Sequence, residues 1–193
     1  MDCVSSDVLE DPAYSVPIAH SAPGGVGWLR GAVARFSEGD AHVRRRALVE
    51  SVIDRLGLVA YVETPTRSLS AALGLPLDLE ADVVAMVAAA YQPSLPQSED
   101  ADRAADRLVA VCGGRTEEVA AIVCVLVQAH AATLAWIEAR RAGASTPPVP
   151  FTRRVGPSGE EVLVDLADAH FGRGHHQCPG ERLARHLTDQ AGA

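Results

Sequence analysis

Apolar residues recur every three to four positions through most of this chain, which is the spacing that places them on one face of a helix. Proline and glycine interrupt this pattern and divide it into separate segments. We expect helices at residues 26–35, 40–56, 65–73, 78–91, 98–112, 116–141 and 180–190. The proline-rich link at 147–155 and the apolar run at 162–166 are the best strand candidates. The predicted fold class is therefore mainly α, with minimal β structure.

The first 25 residues do not follow the helical pattern. Helix breakers, among them Pro12, Pro17 and Pro23, are spread through this stretch. We predict a flexible amino-terminal lead over residues 1–25, followed by one compact domain over residues 26–193. A chain of 193 residues is within the usual size of a single domain.

Composition and charge narrow the classes of protein to which the chain can belong. It is 48% hydrophobic and carries 25 acidic against 17 basic residues, for a formal net charge of −8. This acidic balance disfavours nucleic acid as a partner. The four cysteines, Cys3, Cys112, Cys124 and Cys178, lack the spacing of a disulfide or zinc framework.

One segment, residues 119–137, is nearly free of charge and approaches the length that spans a bilayer. Gln128 and His130 lie near its middle, so a buried central helix explains the run better than a membrane span. The amino terminus has no basic segment followed by an apolar core, and we predict no secretory signal. A cytoplasmic protein with no membrane partner is expected.

The loop at residues 171–180 combines a single cysteine with three glycines and leads into a predicted helix. The free N–H groups at the start of that helix, together with the charge of Arg173, favour a negative sulfur at Cys178. This thiol is therefore expected to ionise easily. The glycines permit positive φ angles and let the backbone approach a flat macrocycle. Such a loop suits a cysteine that binds a heme iron.

A zinc cluster is an alternative interpretation of the same region, as is a surface loop without a metal. His170, His175, His176 and His186 lie close to Cys178 in sequence. The spacing is poor for zinc, because only one cysteine is present and no Cys-x-x-Cys or His-x-x-x-His pair accompanies it.

The loop resembles the heme-binding loop of the cytochrome P-450 superfamily, whose pattern Phe-Gly-x-Gly-x-His-x-Cys-x-Gly is met at every fixed position. The matching residues are Phe171, Gly172, Gly174, His176, Cys178 and Gly180. The resemblance implies a truncated P-450-like helical fold with heme b as the cofactor. It also implies that Cys178 is the axial iron ligand, which favours O–O cleavage, and that His176 contacts a heme propionate.

Two other segments resemble parts of the same family in the right order along the chain. His42 and Arg46 are four residues apart, hence on one face of a helix, and look like the propionate-binding pair of the family's C helix. Arg154 is similar to the arginine that reaches a propionate after the family's K helix. The forked guanidinium suits a carboxylate. With His176, these residues make up the implied propionate anchors.

The predicted helix at 116–141 departs from the family where the I helix passes over the heme. Family members usually carry an acid and a threonine there, which deliver protons to bound dioxygen. In this chain Ala131 and Ala132 fall at those positions. Gln128, His130 and Thr133 are the polar residues left to meet substrate or oxygen. Oxidation of a small molecule by oxygen or peroxide is the favoured chemistry, with a heme-dependent rearrangement, cyclisation or dehydration as the alternative.

The chain has about half the length of a typical family member, so part of the usual cover over the heme is missing. A second copy, a carrier protein or a bulky substrate could supply that cover, and we expect a homodimer. The resemblance implies an enzyme of bacterial specialised metabolism. A ferredoxin-type redox partner could dock on arginines such as Arg173 and Arg182. The alternative from another class is a non-catalytic, P-450-derived helper protein that binds another enzyme.

Overall fold

The computed structural model describes residues 3–76, 81–92 and 94–192. The helices within these residues are α1 (Gly25–Ala32), α2 (Gly39–Leu56), α3 (Pro65–Ala72), α4 (Ala81–Ala90), α5 (Glu99–Val111), α6 (Glu117–Gln128), α7 (Leu134–Arg141) and α8 (Glu181–Ala191). The strands are β1 (Cys3–Val4), β2 (Phe151–Val155) and β3 (Glu161–Asp165), in the sheet order β1-β3-β2. A π-helical turn, Ala129–Thr133, joins α6 to α7. The mainly α class with little β structure is confirmed.

Hydroxyl side chains fix the starts of three helices close to the predicted residues. Thr64, Ser98 and Thr116 each accept a hydrogen bond from a backbone N–H in the first turn of α3, α5 and α6. Such a bond satisfies one of the donors that a helix start leaves free. Acidic residues follow in the first turns of α5 and α6, where they interact favourably with the helix dipole.

Two predicted helices differ from the observed ones. The segment predicted over residues 26–35 breaks at Val33, which is extended, and continues as a 3-10 turn, Ala34–Phe36. This break turns the chain before α2 begins. The segment predicted over residues 78–91 is observed as α4, and its first three predicted residues lie outside the described part of the chain.

The amino-terminal residues make contacts where the sequence predicted a flexible lead over residues 1–25. Cys3 and Val4 pair with β3 in parallel, and Ser15 forms a bridge with Val155 on β2. Leu9 and Val16 are buried. Burial of these apolar side chains, together with the strand pairing, attaches the described part of the lead to the sheet.

The apolar run predicted to form a central helix packs inside the protein. Val123, Leu126 and Val127 on α6 are almost completely buried, and α6 contacts α1, α2, α3, α4 and α5. The continuous helix Glu117–Arg141 is long and apolar enough to cross a membrane by length and composition alone, yet 56% of its most apolar window is buried within the protein. Packing against other helices therefore accounts for the run. Localisation stays a prediction.

An ion-pair cluster connects α2 to the beginning of α6. Arg44 Nε lies 2.7 Å and Arg45 Nε 2.8 Å from the carboxylate oxygens of Glu117. The hydrogen bond from Arg44 is the largest influence on this carboxylate, and with Arg45 it lowers the pKa of Glu117 to about 2. Glu117 is also the first residue of α6, so its charge acts on the helix dipole as well.

We predict that Glu117→Gln lowers the free energy of unfolding at pH 7 by about 0.5–1 kcal/mol, a value limited by the partial exposure of the pair. Because the pKa in the folded protein lies below that in the unfolded chain, the contribution is complete above about pH 5 and is lost as the pH falls toward 2. Urea unfolding at pH 7 and at lower pH measures both effects.

Glu99→Gln is the matched control. Like Glu117, Glu99 is the first residue of a helix that follows a capping hydroxyl, here that of Ser98, but the Glu99 side chain is 93% exposed. A smaller loss is expected for this variant. Equal losses in both variants, or a Glu117→Gln effect that does not shrink with falling pH, would contradict the prediction.

Candidate functional site

A cavity of about 350 Å³ lies between α2, α6, the π turn, β2 and the loop that precedes α8. This volume is within the range of small-molecule and cofactor sites. Most of its wall is apolar, and the apolar lining includes Phe36, Val49, Ile53, Val125, Ala129, Trp136, Leu183 and Leu187.

Most of the residues that the sequence singled out meet at this cavity although they are far apart in the chain. Those that line it are His42, Arg46, Gln128, Thr133, Arg154, Phe171, Gly172, His176, Cys178 and Gly180. His130 and Gly174 do not line it. The fold thus brings together the cysteine loop, the basic face of α2, the arginine of β2 and the middle of the long helix.

The loop that presents Cys178 is closed by its own backbone hydrogen bonds. The N–H of Cys178 donates to the carbonyl of Phe171 at 2.8 Å, and the N–H of Gln177 donates to the carbonyl of Gly174 at 3.0 Å. Gly172 and Gly174 have φ angles of 72° and 69°, so both need the left-handed conformation predicted for them. The sulfur is thereby held at the cavity wall, immediately before α8.

Gly180 does not use the positive φ that a glycine permits, because its φ angle is −91°. It lies close to the sulfur instead: a Cβ atom built there would lie 3.9 Å from Cys178 Sγ and 3.9 Å from Ile53 Cδ1. The lack of a side chain at Gly180 therefore leaves space beside the sulfur.

The surroundings of the Cys178 thiol act against the easy ionisation that the sequence predicts. The side chain is exposed to the cavity, but protein atoms surround it, and this burial raises the pKa of the Cys178 thiol. The N–H of Gly180 and the charges of Arg35 and Arg46 act in the opposite direction without outweighing burial. Coordination to a metal would deprotonate such a thiol outright.

Three imidazole rings lie together at one side of the cavity. The ring centroids of His42 and His176 are 4.0 Å apart, and His175 lies edge-on to His42 at 5.4 Å. Burial, followed by the charge of His42, lowers the pKa of His176 to about 4. His176 Nε2 is buried and lies 3.2 Å from Glu38 Oε1. His176 is thus a neutral histidine that Glu38 holds beside the cavity.

Glu38 ties this histidine cluster to the amino-terminal segment. Its Oε1 accepts a hydrogen bond from the N–H of Val16 at 2.9 Å, and its Oε2 lies 3.2 Å from Nε2 of His175. Burial alone would raise the pKa of Glu38, but the Val16 N–H and the neighbouring histidines hold it below its usual value. The carboxylate therefore holds both His175 and His176 in position.

Arg154 is the most deeply buried cation at the cavity, with 6% of its surface exposed. Its guanidinium donates to the backbone carbonyl of Arg153 at 2.8 Å, and Arg154 forms an ion pair with no carboxylate of the described residues. Burial and the charge of Arg35 lower the pKa of Arg154. Arg46, by contrast, pairs with Glu50 at 2.6 Å.

The long helix contributes Gln128 and Thr133 to the opposite wall. Gln128 Nε2 donates to Cys124 Sγ at 2.9 Å, while Thr133 is buried next to the cavity. His130 turns away from it, and its Nδ1 lies 3.0 Å from Thr66 Oγ1 on α3. The π turn changes the direction of successive side chains relative to an α-helix. The expectation that His130 meets substrate or oxygen is therefore not supported.

Arg35 and Glu38 are cavity and cluster residues that sequence reasoning missed. Arg35 lines the cavity from the 3-10 turn, and Glu38 precedes α2. The sequence placed Arg35 at the end of a predicted helix, where a charged residue is indistinguishable from a solvated surface position. The signal that could have found both is their closeness in sequence to His42.

The structure brings together two of the histidines of the zinc interpretation, His175 and His176, but not Cys178 with them. The group of possible metal ligands in the described residues is Glu38, His175 and His176, with ligand atoms within 4.8 Å of one another, and it does not include Cys178. His186 instead lies 3.1 Å from the carbonyl of Val59.

Solved structures with the same architecture identify the fold. No family model matches the sequence, and no curated protein gives a significant match. P450BioI in complex with an acyl carrier protein ligated to hexadec-9Z-enoic acid is similar, with a TM-score of 0.72, 15% identity, and coverage of 97% of this chain and 81% of that chain.

Two other structures agree. Ligand-free CYP164A2 of Mycobacterium smegmatis has a TM-score of 0.61 and 19% identity, over 96% of this chain and 79% of that chain. The mycinamicin VIII C21 methyl hydroxylase MycCI of Micromonospora griseorubida, bound to mycinamicin VIII, has a TM-score of 0.58 and 16% identity, over 98% and 81% of the two chains. The chain therefore has a cytochrome P-450-like fold, as the cysteine loop predicted.

We predict that Gly174→Ala lowers the free energy of unfolding by about 2–3 kcal/mol. The substitution strains a backbone with a φ of 69° and places a Cβ 2.9 Å from the carbonyl oxygen of Leu9. Gly159→Ala is the control, since Gly159 has a φ of 84° but nothing within 4 Å of the added Cβ. Urea unfolding of the two variants separates the clash from the strain, and equal losses would show that the contact with Leu9 contributes nothing.

Proposed function

We propose that this protein is a heme-thiolate enzyme of the cytochrome P-450 type, with heme b in the cavity and Cys178 as the iron ligand. The observation that carries the proposal is the meeting of this cysteine with a buried, unpaired guanidinium on one largely apolar cavity. Arg154 is buried there and forms no ion pair with a carboxylate among the described residues. A donor of this kind fits a carboxylate of heme.

The proposed roles follow from where each residue lies. His42, Arg46, Arg154 and His176 bind the propionates, and Cys178 binds the iron from the loop before α8. Phe171 and the glycines at 172 and 180 form the wall beside the sulfur. Heme bound in this way supplies oxidation chemistry at iron, with the thiolate favouring O–O cleavage.

Thr133 and Gln128 are the protein's polar groups on the wall formed by the long helix. Thr133 is buried and holds a hydroxyl next to the cavity, while Gln128 is fixed by its contacts with Cys124 and Arg35. Ala132 also lines the cavity, and its methyl side chain cannot donate a proton. Proton delivery therefore depends on Thr133, on Gln128 and on the oxidant itself, which favours peroxide as a source of oxygen or a reaction that inserts none.

A small molecule is the proposed substrate, and a protein that carries it is a proposed partner. P450BioI, which shares the fold, is bound to an acyl carrier protein ligated to hexadec-9Z-enoic acid. This supports a partner protein for the present chain. A ferredoxin-type redox partner, homodimerisation, a cytoplasmic location and a place in bacterial specialised metabolism complete the proposal.

A non-catalytic helper protein is the second candidate function. Ala131 and Ala132 lie in the π turn where proton delivery would be expected, and this favours a chain that keeps the fold without the chemistry. The burial of Arg154 on the cavity without a carboxylate partner among the described residues argues for the enzyme, because a helper without heme would bury this cation for no ligand.

We predict that purified protein supplied with hemin, then reduced and exposed to carbon monoxide, shows a strongly red-shifted Soret band, because Cys178 would bind the iron as a thiolate. Cys178→Ala is expected to remove this band. Cys112→Ala is the matched control, since Cys112 is half-buried at the end of α5 and does not line the cavity.

A red-shifted band that survives in Cys178→Ala would assign the ligand to another residue. No uptake of hemin by the wild-type protein would overturn the enzyme proposal, and tight co-purification with another enzyme would then support the helper.

A further inference from the structure

Arg35 is a cation on the cavity wall that the propionate anchors described above do not include. It lies in the 3-10 turn Ala34–Phe36, is half-buried, and donates from Nη1 to Gln128 Oε1 at 2.8 Å. Its Cζ lies 5.8 Å from the ring centroid of Phe36. These contacts hold the guanidinium between the turn before α2 and the end of α6.

The charge of Arg35 has no counterion among the described residues. Its hydrogen bond goes to a neutral amide, and it forms no ion pair with a carboxylate in this part of the chain. The surface arginine Arg67 shows the usual situation, with Glu63 at 2.6 Å. A half-buried guanidinium facing an apolar cavity is therefore left with its positive charge uncompensated, which is unfavourable unless an anion binds.

The field of Arg35 extends across the cavity. Its charge favours the thiolate form of Cys124, and it disfavours the protonated form of Arg154. All of these residues line the same cavity. An anion inside it would lie within reach of the positive potential of Arg35 as well as that of Arg154.

The guanidinium is also oriented before any ligand binds. Gln128 accepts from Arg35 with its carbonyl oxygen and donates to Cys124 Sγ at 2.9 Å with its amide nitrogen, so the amide cannot turn over without losing both bonds. Arginine has five N–H donors, and the contact with Gln128 uses one of them. The remaining donors keep the planar fork that matches a carboxylate.

We propose that Arg35, oriented by Gln128, binds a carboxylate in this cavity. The carboxylate belongs either to a heme propionate, in which case the inference rests on the proposed function, or to an organic acid that enters as substrate. Both sources present the same chemistry to the guanidinium, and the ligands used in the test distinguish them.

The test compares pairs of ligands that differ only in the carboxylate. Heme-free protein is titrated with dodecanoate and with dodecanol, followed by tryptophan fluorescence, because Trp136 lines the cavity. It is titrated in parallel with hemin and with hemin dimethyl ester, followed by absorption. The variants are Arg35→Gln, Arg35→Lys and the control Arg67→Gln.

Arg35→Gln is expected to weaken binding of at least one carboxylate ligand by about tenfold to a hundredfold, the effect of losing one charged hydrogen-bonded pair. Binding of its neutral counterpart should change less than about twofold, and Arg67→Gln should change neither. Arg35→Lys should lie between the two, because it keeps the charge without the fork. Gln128→Leu should reduce the preference for the carboxylate, as expected for a positioning residue.

The ligand pair that responds identifies the source of the carboxylate. A loss for hemin alone assigns Arg35 to a propionate, a loss for dodecanoate alone assigns it to an acidic substrate, and a loss for both supports both. No loss for either carboxylate, or an equal loss for the neutral ligands, overturns the proposal. If hemin does not bind to the wild-type protein, the proposed function fails, and the dodecanoate pair still decides for or against Arg35.

Discussion

Buried positive charge without a buried counterion is the constraint on which the rest of this structure depends. Arg154 is almost fully buried and Arg35 is half-buried, yet neither has a carboxylate partner among the described residues. In a protein with a net charge of −8, acidic side chains are abundant, and surface arginines use them. Leaving these two guanidinium groups unpaired makes the cavity unfavourable when empty and favourable for an anionic ligand.

The cavity is built from segments that are distant in sequence and fastened to one another by specific contacts. Glu38 joins the amino-terminal segment at Val16 to the histidine cluster, and Gly174 packs directly against the carbonyl of Leu9. The cysteine loop and the histidine cluster are therefore supported by the amino-terminal segment around Leu9 and Val16.

The cysteine loop and the long helix make different contributions to the proposed site. Burial raises the pKa of the Cys178 thiol, and binding of a metal would favour its thiolate form. The π turn of the long helix, in contrast, offers Thr133 but has alanine at neighbouring positions. The proposed site thus has residues that would hold a heme, but few polar groups on the long helix that would deliver protons.

The sequence by itself determined the parts of this protein that depend on local chemistry. Thr64, Ser98 and Thr116 cap helices whose starts were predicted within one residue, and the spacing of residues 171–180 identified the fold through its cysteine loop. Both signals involve residues close together in the chain, where spacing alone sets the geometry.

Only the tertiary structure decided which charges are buried and what faces the cavity. Contacts between residues far apart in sequence decide three features of the site. His130 contacts Thr66 and does not line the cavity, burial raises the pKa of Cys178, and Arg35 donates a hydrogen bond to Gln128. No periodic pattern records such contacts. The packing of the protein decides which charged groups are removed from water and which carboxylates lie near them. The preference of the cavity for a ligand could therefore not be predicted from the identities of its lining residues.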